Sequence, residues 1–304
     1  MTLLALPYAV IPMVLFMFIV RRLDRYDPEP LWLLLTHFFW GAIGAVSISA
    51  VANAKLIAFF WGKAALEGDP PKLAAVFIGP MVEELIKATI FILTVRLRDF
   101  NNLTDGIVYG ATVGFGFAMT ENLVYFIRAA NIDNLAQFIA YRTFFSGMMH
   151  ALSCGIFAAF LGYAQFRFGR VPWIFVVFGI VPAVILHMGF NFFVSTPSVN
   201  ALGFVLIVIA FSGLCFTFAQ SLRFEQKFIR EELVKEAEAG LIPKEYVELP
   251  FKKKQTKIEY IKARLCVQIA FERISSRHLR EQWQLDQSKT ILSEMHKRLN
   301  SLPV

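Results

Sequence analysis

LAAVFIGPMVEELIKATIFILTV, residues 73–95, is long enough to cross a hydrocarbon core, yet it carries two adjacent glutamates and a lysine near its middle. A core about 30 Å thick takes about twenty helical residues at 1.5 Å each. An ionisable side chain at that depth costs at least about 2.5–3.5 kcal/mol on insertion scales, so it faces a polar cavity and has partners. The stretch therefore reads as a membrane span built around buried charge. Its surroundings agree: the 304 residues are 57% hydrophobic and 17% charged, with 32 phenylalanines, more apolar surface than one soluble core of that size buries. Further apolar blocks lie near 3–20, 31–52, 106–127, 143–165, 172–194 and 200–219. The expected fold is all-α, a polytopic membrane helical bundle of about seven transmembrane helices.

The first block reads as an anchor. No basic residue precedes it, and Arg21 and Arg22 stand where a secretory signal would need small residues for cleavage. Arg21, Arg22, Arg25, Arg96, Arg98, Arg167 and Arg170 fall on one side together with the basic tail. That bias favours the N-terminus outside and the C-terminus in the cytoplasm, against Lys55, Lys63, Lys72, Arg128 and Arg142 on the other side. Cys154 and Cys215 fall inside spans and Cys266 in the tail, with no CxxC pattern or disulfide framework.

From residue 220 to 304 the composition turns charged, with 17 Lys and Arg against 12 Asp and Glu. Residues 1–219 thus form the membrane domain and 220–304 a cytoplasmic tail of amphipathic helices. Ile258, Ile261, Leu265 and Ile269 recur at helical spacing, as do Leu292, Met295 and Leu299, while Gly240 and Pro243 interrupt an earlier charged helix. The tail suits docking to a cytoplasmic partner, with Lys252, Lys253 and Lys254 against anionic lipid, or is a solvated appendage. No nucleic-acid partner is expected. The loop Asp24-Arg25-Tyr26-Asp27-Pro28-Glu29-Pro30 is stiffened by its prolines and sets up an abrupt entry into the second helix.

The third span contains Glu83, Glu84 and Lys87, the fourth Glu121 and Asn122, the fifth His150, and the sixth His187 with Asn191. Lys87 lies within one turn of both glutamates and can pair with only one, leaving the other available. Two close carboxylates in low dielectric resist ionising together, which suits one of them to act as a general base; a purely structural ion cluster is the plainer alternative. Gly106, Gly110 and Gly114 recur every four residues ahead of Glu121, a smooth face for close helix contact. From the outer ends of their spans, Glu121 lies about 9 Å in, His150 and His187 about 10 Å, and Glu83 about 15 Å. Alternate helices run in opposite directions, so this shared layer does not follow from a common offset along the chain. His37 falls in the opposite half and is left out.

Glutamates, histidines and an asparagine with no nucleophile tied to them suggest activated water. Ser146 and Ser153 flank His150 without a Gly-x-Ser-x-Gly context, and HExxH is absent. His187 and Asn191, one turn apart, can donate to a developing oxyanion. Alternatively Glu121, His150 and His187 can hold Zn2+ with a water, the open arrangement of catalytic zinc.

EELIK at 83–87, Phe117-Ala-Met-Thr-Glu121-Asn122, His150 and His187-x-x-x-Asn191 together resemble the motif series of PrsW-type intramembrane proteases. Those are distant relatives of the type II CAAX-processing and bacteriocin-processing proteases, and the Asp-Pro-Glu-Pro loop also resembles the start of that family. Lys87 stands where CAAX-processing enzymes have arginine, and Glu121 where they have a histidine. The resemblance implies an endopeptidase, glutamate-type or metal-dependent, that cleaves a membrane-anchored protein such as an anti-sigma factor. It makes Glu83 and Glu84 the candidates for activating water, with Lys87, Glu121, His150, His187 and Asn191 completing the catalytic set. The rivals are a proton-coupled transporter, since buried Glu and His also relay protons, and a seven-helix receptor or scaffold.

Overall fold

The structure, a computed structural model, describes residues 2–68, 70–129, 134–253, 255–279 and 281–303. Among them there is no strand. The longer helices are α1 (Thr2–Leu23), α2 (Leu31–Trp61), α3 (Gly79–Ala88), α4 (Leu103–Arg128), α5 (Leu135–Phe168), α6 (Trp173–Val194), α7 (Ala201–Glu238), α8 (Lys257–Ser276) and α9 (Gln282–Ser301). Five of these, α1, α2, α5, α6 and α7, are long and apolar enough to cross a membrane. Their outward residues, including Phe59, Ile43, Ile185 and Ile209, are exposed apolar side chains for which hydrocarbon is the fitting solvent.

Helix ends follow local signals. α2 outruns its expected end at residue 52 because no breaker intervenes before Gly62, whose φ of 83° stops it. α5 stops at left-handed Gly169, which donates its N–H to the Gln165 carbonyl. α7 runs straight through residue 220, since no proline or positive-φ residue stands between Gln220 and Gly240. α4 opens on a reciprocal cap in which Asn102 accepts from the Asp105 N–H and Asp105 accepts from the Asn102 N–H. The 73–95 span is the least regular. A wide turn at Ala74–Ile78 precedes α3, and beyond it the Thr89 hydroxyl donates to the Ile86 carbonyl, where the chain winds more tightly.

α4 is the central helix, buried along almost its whole length from Thr104 to Ala118. A Cβ at Gly106, Gly110 or Gly114 would overlap the carbonyl oxygen of Ala158, Cys154 or His150 in α5. On its other flank Gly116 meets the Phe38 carbonyl of α2, and Gly41 of α2 meets the Val113 carbonyl of α4. Backbones approach here to a distance that only glycine allows. Met13 and Met17 of α1 close the same core with Leu34, Phe38 and Phe115.

The end of α7 forms a second small core with α8 and α9 around Ile229, Leu233, Cys266, Ile269, Ala270 and Leu299. The expected apolar stripes thus face one another, although Ile258 stays exposed. Tyr26, in the loop after α1, joins this core, and Phe166 near the end of α5 packs against it. Arg264 lies 3.5 Å from Asp27, and His278 bonds the Phe166 carbonyl at 3.1 Å. Lys252 pairs with Glu259 at 3.0 Å, while Lys254 lies outside the described residues.

Gly110→Val should lower the thermal unfolding midpoint of detergent-purified protein by the equivalent of at least about 1–3 kcal/mol, because the obstructing atoms are backbone. Gly213→Ala, where nothing lies within 4 Å, should leave it unchanged or slightly raised. In the tail, burial opposes ionisation of Glu232 and Glu236. Hydrogen bonds from Lys235 and Arg277 to Glu232, and from His296 and Arg273 to Glu236, outweigh it and hold both carboxyls below their usual range. Their stabilisation is present above the unfolded value of about 4.3 and is lost as pH falls through the lowered folded values. The denaturant midpoint of the tail should therefore drop from about pH 7 to about pH 3, and the drop should shrink in Glu232→Gln/Glu236→Gln.

Candidate active site

Four helices bring the buried charges of the membrane part to one place. α3 contributes Glu83, Glu84 and Lys87, α4 contributes Glu121 and Asn122, α5 contributes Arg142 and His150, and α6 contributes His187 and Asn191. Wide turns precede two of the contributing stretches, Ala74–Ile78 before α3 and Arg142–Ser146 between Arg142 and His150. Such turns re-aim side chains and recur at functional sites.

Lys87 is the hub. It is 1% exposed, sits 2.8 Å from Glu84 Oε1 and 2.8 Å from His150 Nδ1, and lies over the Phe117 ring at 3.8 Å. An ammonium can only donate, so His150 Nδ1 is the acceptor and its Nε2–H donates to Glu121 Oε2 at 2.8 Å. Glu121 is held in turn by Arg142 Nη2 at 2.6 Å, and Arg142 Nε donates to Asn122 Oδ1 at 3.1 Å. His187 Nδ1 bonds Glu84 Oε1 at 2.8 Å, and Cys154 Sγ approaches Glu84 Oε2 at 3.6 Å. Glu84 is thus paired on both oxygens.

Glu83 is different. Its Oε2 is buried without a hydrogen-bond partner, 4.0 Å from Lys87 Nζ and 3.9 Å from His187 Nε2. It faces a cavity of about 340 Å³ that is also lined by Asn53, Glu121, Arg142, His187 and Asn191. Asn191 reaches that cavity with its amide donating to the Ala75 carbonyl at 3.1 Å. His37 lies apart, bonding Thr94 Oγ1 and the Leu33 carbonyl at 2.8 Å each.

A family model described as "PrsW family intramembrane metalloprotease" matches residues 29–215, more than half of the chain. The chain belongs to the PrsW family. It is 36% identical over 119 residues to "Protease PrsW" of Clostridioides difficile, covering 38% of this chain and 48% of that protein. It is 29% identical over 178 residues to "Protease PrsW" of Bacillus subtilis, covering 58% and 75% of the two chains, and 30% identical over 138 residues to that of Oceanobacillus iheyensis, covering 45% and 59%. The match therefore spans about half the length of the first of these relatives. No solved structure matches the chain.

The PrsW match covers every residue of the network, from Glu83 to Asn191. It also bears on a metal. Ligand atoms of Glu83, His150 and His187 lie within 4.8 Å of one another. The donor set fits: Glu83 has an unpartnered buried oxygen, and the Nδ1 bond to Glu84 leaves His187 Nε2 with a lone pair, the usual carboxylate–histidine support of a metal ligand. For His150 to offer Nε2, its proton would have to move to Nδ1, where Lys87 now donates, and the bond from Nε2 to Glu121 Oε2 at 2.8 Å would be given up. The set expected from sequence, Glu121, His150 and His187, thus shares both histidines with the group the structure brings together and differs in the carboxylate.

Arg142, Asn53 and Tyr125, which also lines the cavity and lies under the Arg142 guanidinium at 3.8 Å, were not among the site residues expected from sequence. Arg142 reads as a loop cation, and its only sequence signal is a lone charge at the mouth of an apolar block. Lys87→Met should strand the Glu84 carboxylate and cost about 3–5 kcal/mol of stability, as for other broken buried pairs. Lys87→Met/Glu84→Gln should recover part of that loss in thermal unfolding, and strict additivity of the two changes would contradict the pairing.

Proposed function

We propose that this PrsW-family chain is a seven-span intramembrane endopeptidase that hydrolyses a membrane-anchored protein with water activated at Glu83. The unpartnered Glu83 oxygen at the cavity carries this reading. In it, α4 and the segmented 73–95 stretch cross the membrane together with the five apolar helices. The N-terminus is outside and residues 220–304 are cytoplasmic. Arg96 and Arg98 line one cavity with the loop after α1 and with α8, Arg21 bonds the Glu29 carbonyl in that loop, and Arg170 lines a second cavity with Arg277 and His278, which supports a positively charged inner side at the tail end of the bundle.

Glu83 takes a proton from water as the water oxygen attacks the peptide carbonyl, and that proton passes to the leaving amide nitrogen as the C–N bond breaks. Glu84, committed to Lys87 and His187, positions both rather than reacting. With its Nδ1–H given to Glu84, His187 presents Nε2 as an acceptor, so it either binds metal or relays the proton from Glu83 to the leaving nitrogen, and donation to the oxyanion falls to the remaining amide hydrogen of Asn191. Glu121, anchored by Arg142, fixes the ring of His150. Zn2+, when bound by Glu83, His150 and His187 with Glu121 beside them, would supply a Lewis acid and a hydroxide near neutral pH. Substrate choice of the anti-sigma-factor kind would be set by surfaces around the cavity mouth and by the tail.

Reconstituted protein should cleave at least one of a panel of single-span substrates. Glu83→Gln should lower cleavage by about 10²–10⁴-fold with unchanged folding. His187→Ala should do likewise, and Glu84→Gln should lose both activity and stability. Chelation that abolishes cleavage, restored by Zn2+, would assign the metal form; cleavage indifferent to chelator would assign the glutamate-only form. Equal turnover by folded Glu83→Gln and wild type would refute the assignment.

A further inference from the structure

A second convergence of acids lies at the opposite end of α4. Asp24 and Glu29 come from the loop after α1, and Asp105 from the first turn of α4; the three are at most 2% exposed, with ligand oxygens within 4.8 Å of one another. Asp105 uses Oδ2 to accept the N–H groups of Asn101 and Asn102, and the Tyr109 hydroxyl donates to Glu29 Oε2. That leaves Asp24 Oδ2 and Asp105 Oδ1 buried with no hydrogen-bond partner among the described residues. A fourth carboxylate arrives from α7: Glu225, 1% exposed, takes the Thr104 hydroxyl on Oε1 while its Oε2 is unpartnered as well.

Among the described residues no cationic side chain compensates these acids at ion-pair distance. The nearest candidates are engaged elsewhere: Arg264 pairs with Asp27 at 3.5 Å, and Arg21 Nε donates to the Glu29 backbone carbonyl at 2.9 Å. Several unpartnered carboxylate oxygens converging in a buried space are costly as anions until protons or a cation neutralise them, and their convergence offers a cation several ligands at once. The donors are all oxygen, which suits a hard cation. Their mutual spacing is that of ligands around Ca2+ at about 2.3–2.6 Å each, and is reachable for smaller Mg2+ by a modest contraction. Glu29 also lines a cavity of about 440 Å³ between this loop and α8, so one edge of the cluster borders open space.

We propose that Asp24, Glu29 and Asp105 bind a hard divalent cation, flanked by Glu225, and that this ion fastens the α7 extension to the membrane bundle. The site is separate from the Glu83–His150–His187 group and holds no nitrogen donor.

The detergent-purified 304-residue protein carrying His187→Ala, to weaken the other metal group, is stripped with EDTA and returned separately to Ca2+ and to Mg2+. One ion should bind per chain by calorimetry. The thermal midpoint should rise by several degrees, and tryptic cleavage between α7 and α8 should slow. The ion giving the saturating response identifies the occupant. Asp24→Asn and Glu225→Gln should each lose most of the ion-dependent shift, yet their ion-free midpoints should hold or rise, because mutual repulsion is relieved; a purely structural role predicts a lower midpoint at all ion concentrations. Absence of binding and of any shift at millimolar Ca2+ and Mg2+ would overturn the proposal, as would an undiminished shift in Asp24→Asn/Glu29→Gln.

Discussion

Gly106, Gly110 and Gly114 let the backbone of α4 lie against the carbonyl edge of α5, and that contact sets the distance at which Glu121 meets His150. Two helices of ordinary side chains sit about 8–10 Å apart, and at that separation a glutamate and a histidine on facing helices would need a bridging water. Here the third glycine touches the His150 carbonyl itself. The ring is then held from both ends, by Glu121 on one nitrogen and Lys87 on the other. Once α5 is seated, α3 and α6 complete the ring of contacts through Glu84 and His187.

The charges in this layer do not cancel. Lys87 and Arg142 supply the fixed cations against Glu83, Glu84 and Glu121, and Glu84 and Glu121 take the close pairings at 2.8 and 2.6 Å. The surplus negative charge therefore rests on Glu83, the carboxylate with an unpartnered oxygen at the cavity. A proton, a metal ion or a polarised water is what a low-dielectric site with one uncompensated carboxylate calls for. General-base and metal-assisted chemistry both begin from this imbalance, which is why one donor set serves either.

Much of this was readable in the chain. The apolar blocks marked α1, α2, α5, α6 and α7, and the ionisable residues inside the blocks at 73–95, 106–127, 143–165 and 172–194 were visible as anomalies of solvation. Spacing alone could not say which glutamate Lys87 takes, since offsets of three and four residues are both favourable on a helix. The choice is made by His187 and Cys154, on two other helices. Arg142 was hidden for a similar reason: its partners Glu121 and Asn122 lie twenty residues back, on the other side of a loop. The end of the 200–219 block was misleading because hydropathy reports solvent, whereas a helix ends where the backbone is stopped. Nothing stops it until Gly240.

That last feature has a mechanical side. α7 is 38 residues long, about 57 Å at 1.5 Å per residue, nearly twice the thickness of a hydrocarbon core. Beyond Gly213 it has no internal glycine or proline at which to flex. It leans on α6, the helix that carries His187, at one end and holds Ile229 and Leu233 of the tail core at the other. A twist or tilt applied to α8 and α9 therefore travels along this rod undiminished as far as Gly213, the glycine that stands between the tail core and the α6 contacts at Leu206, Ile207 and Ala210.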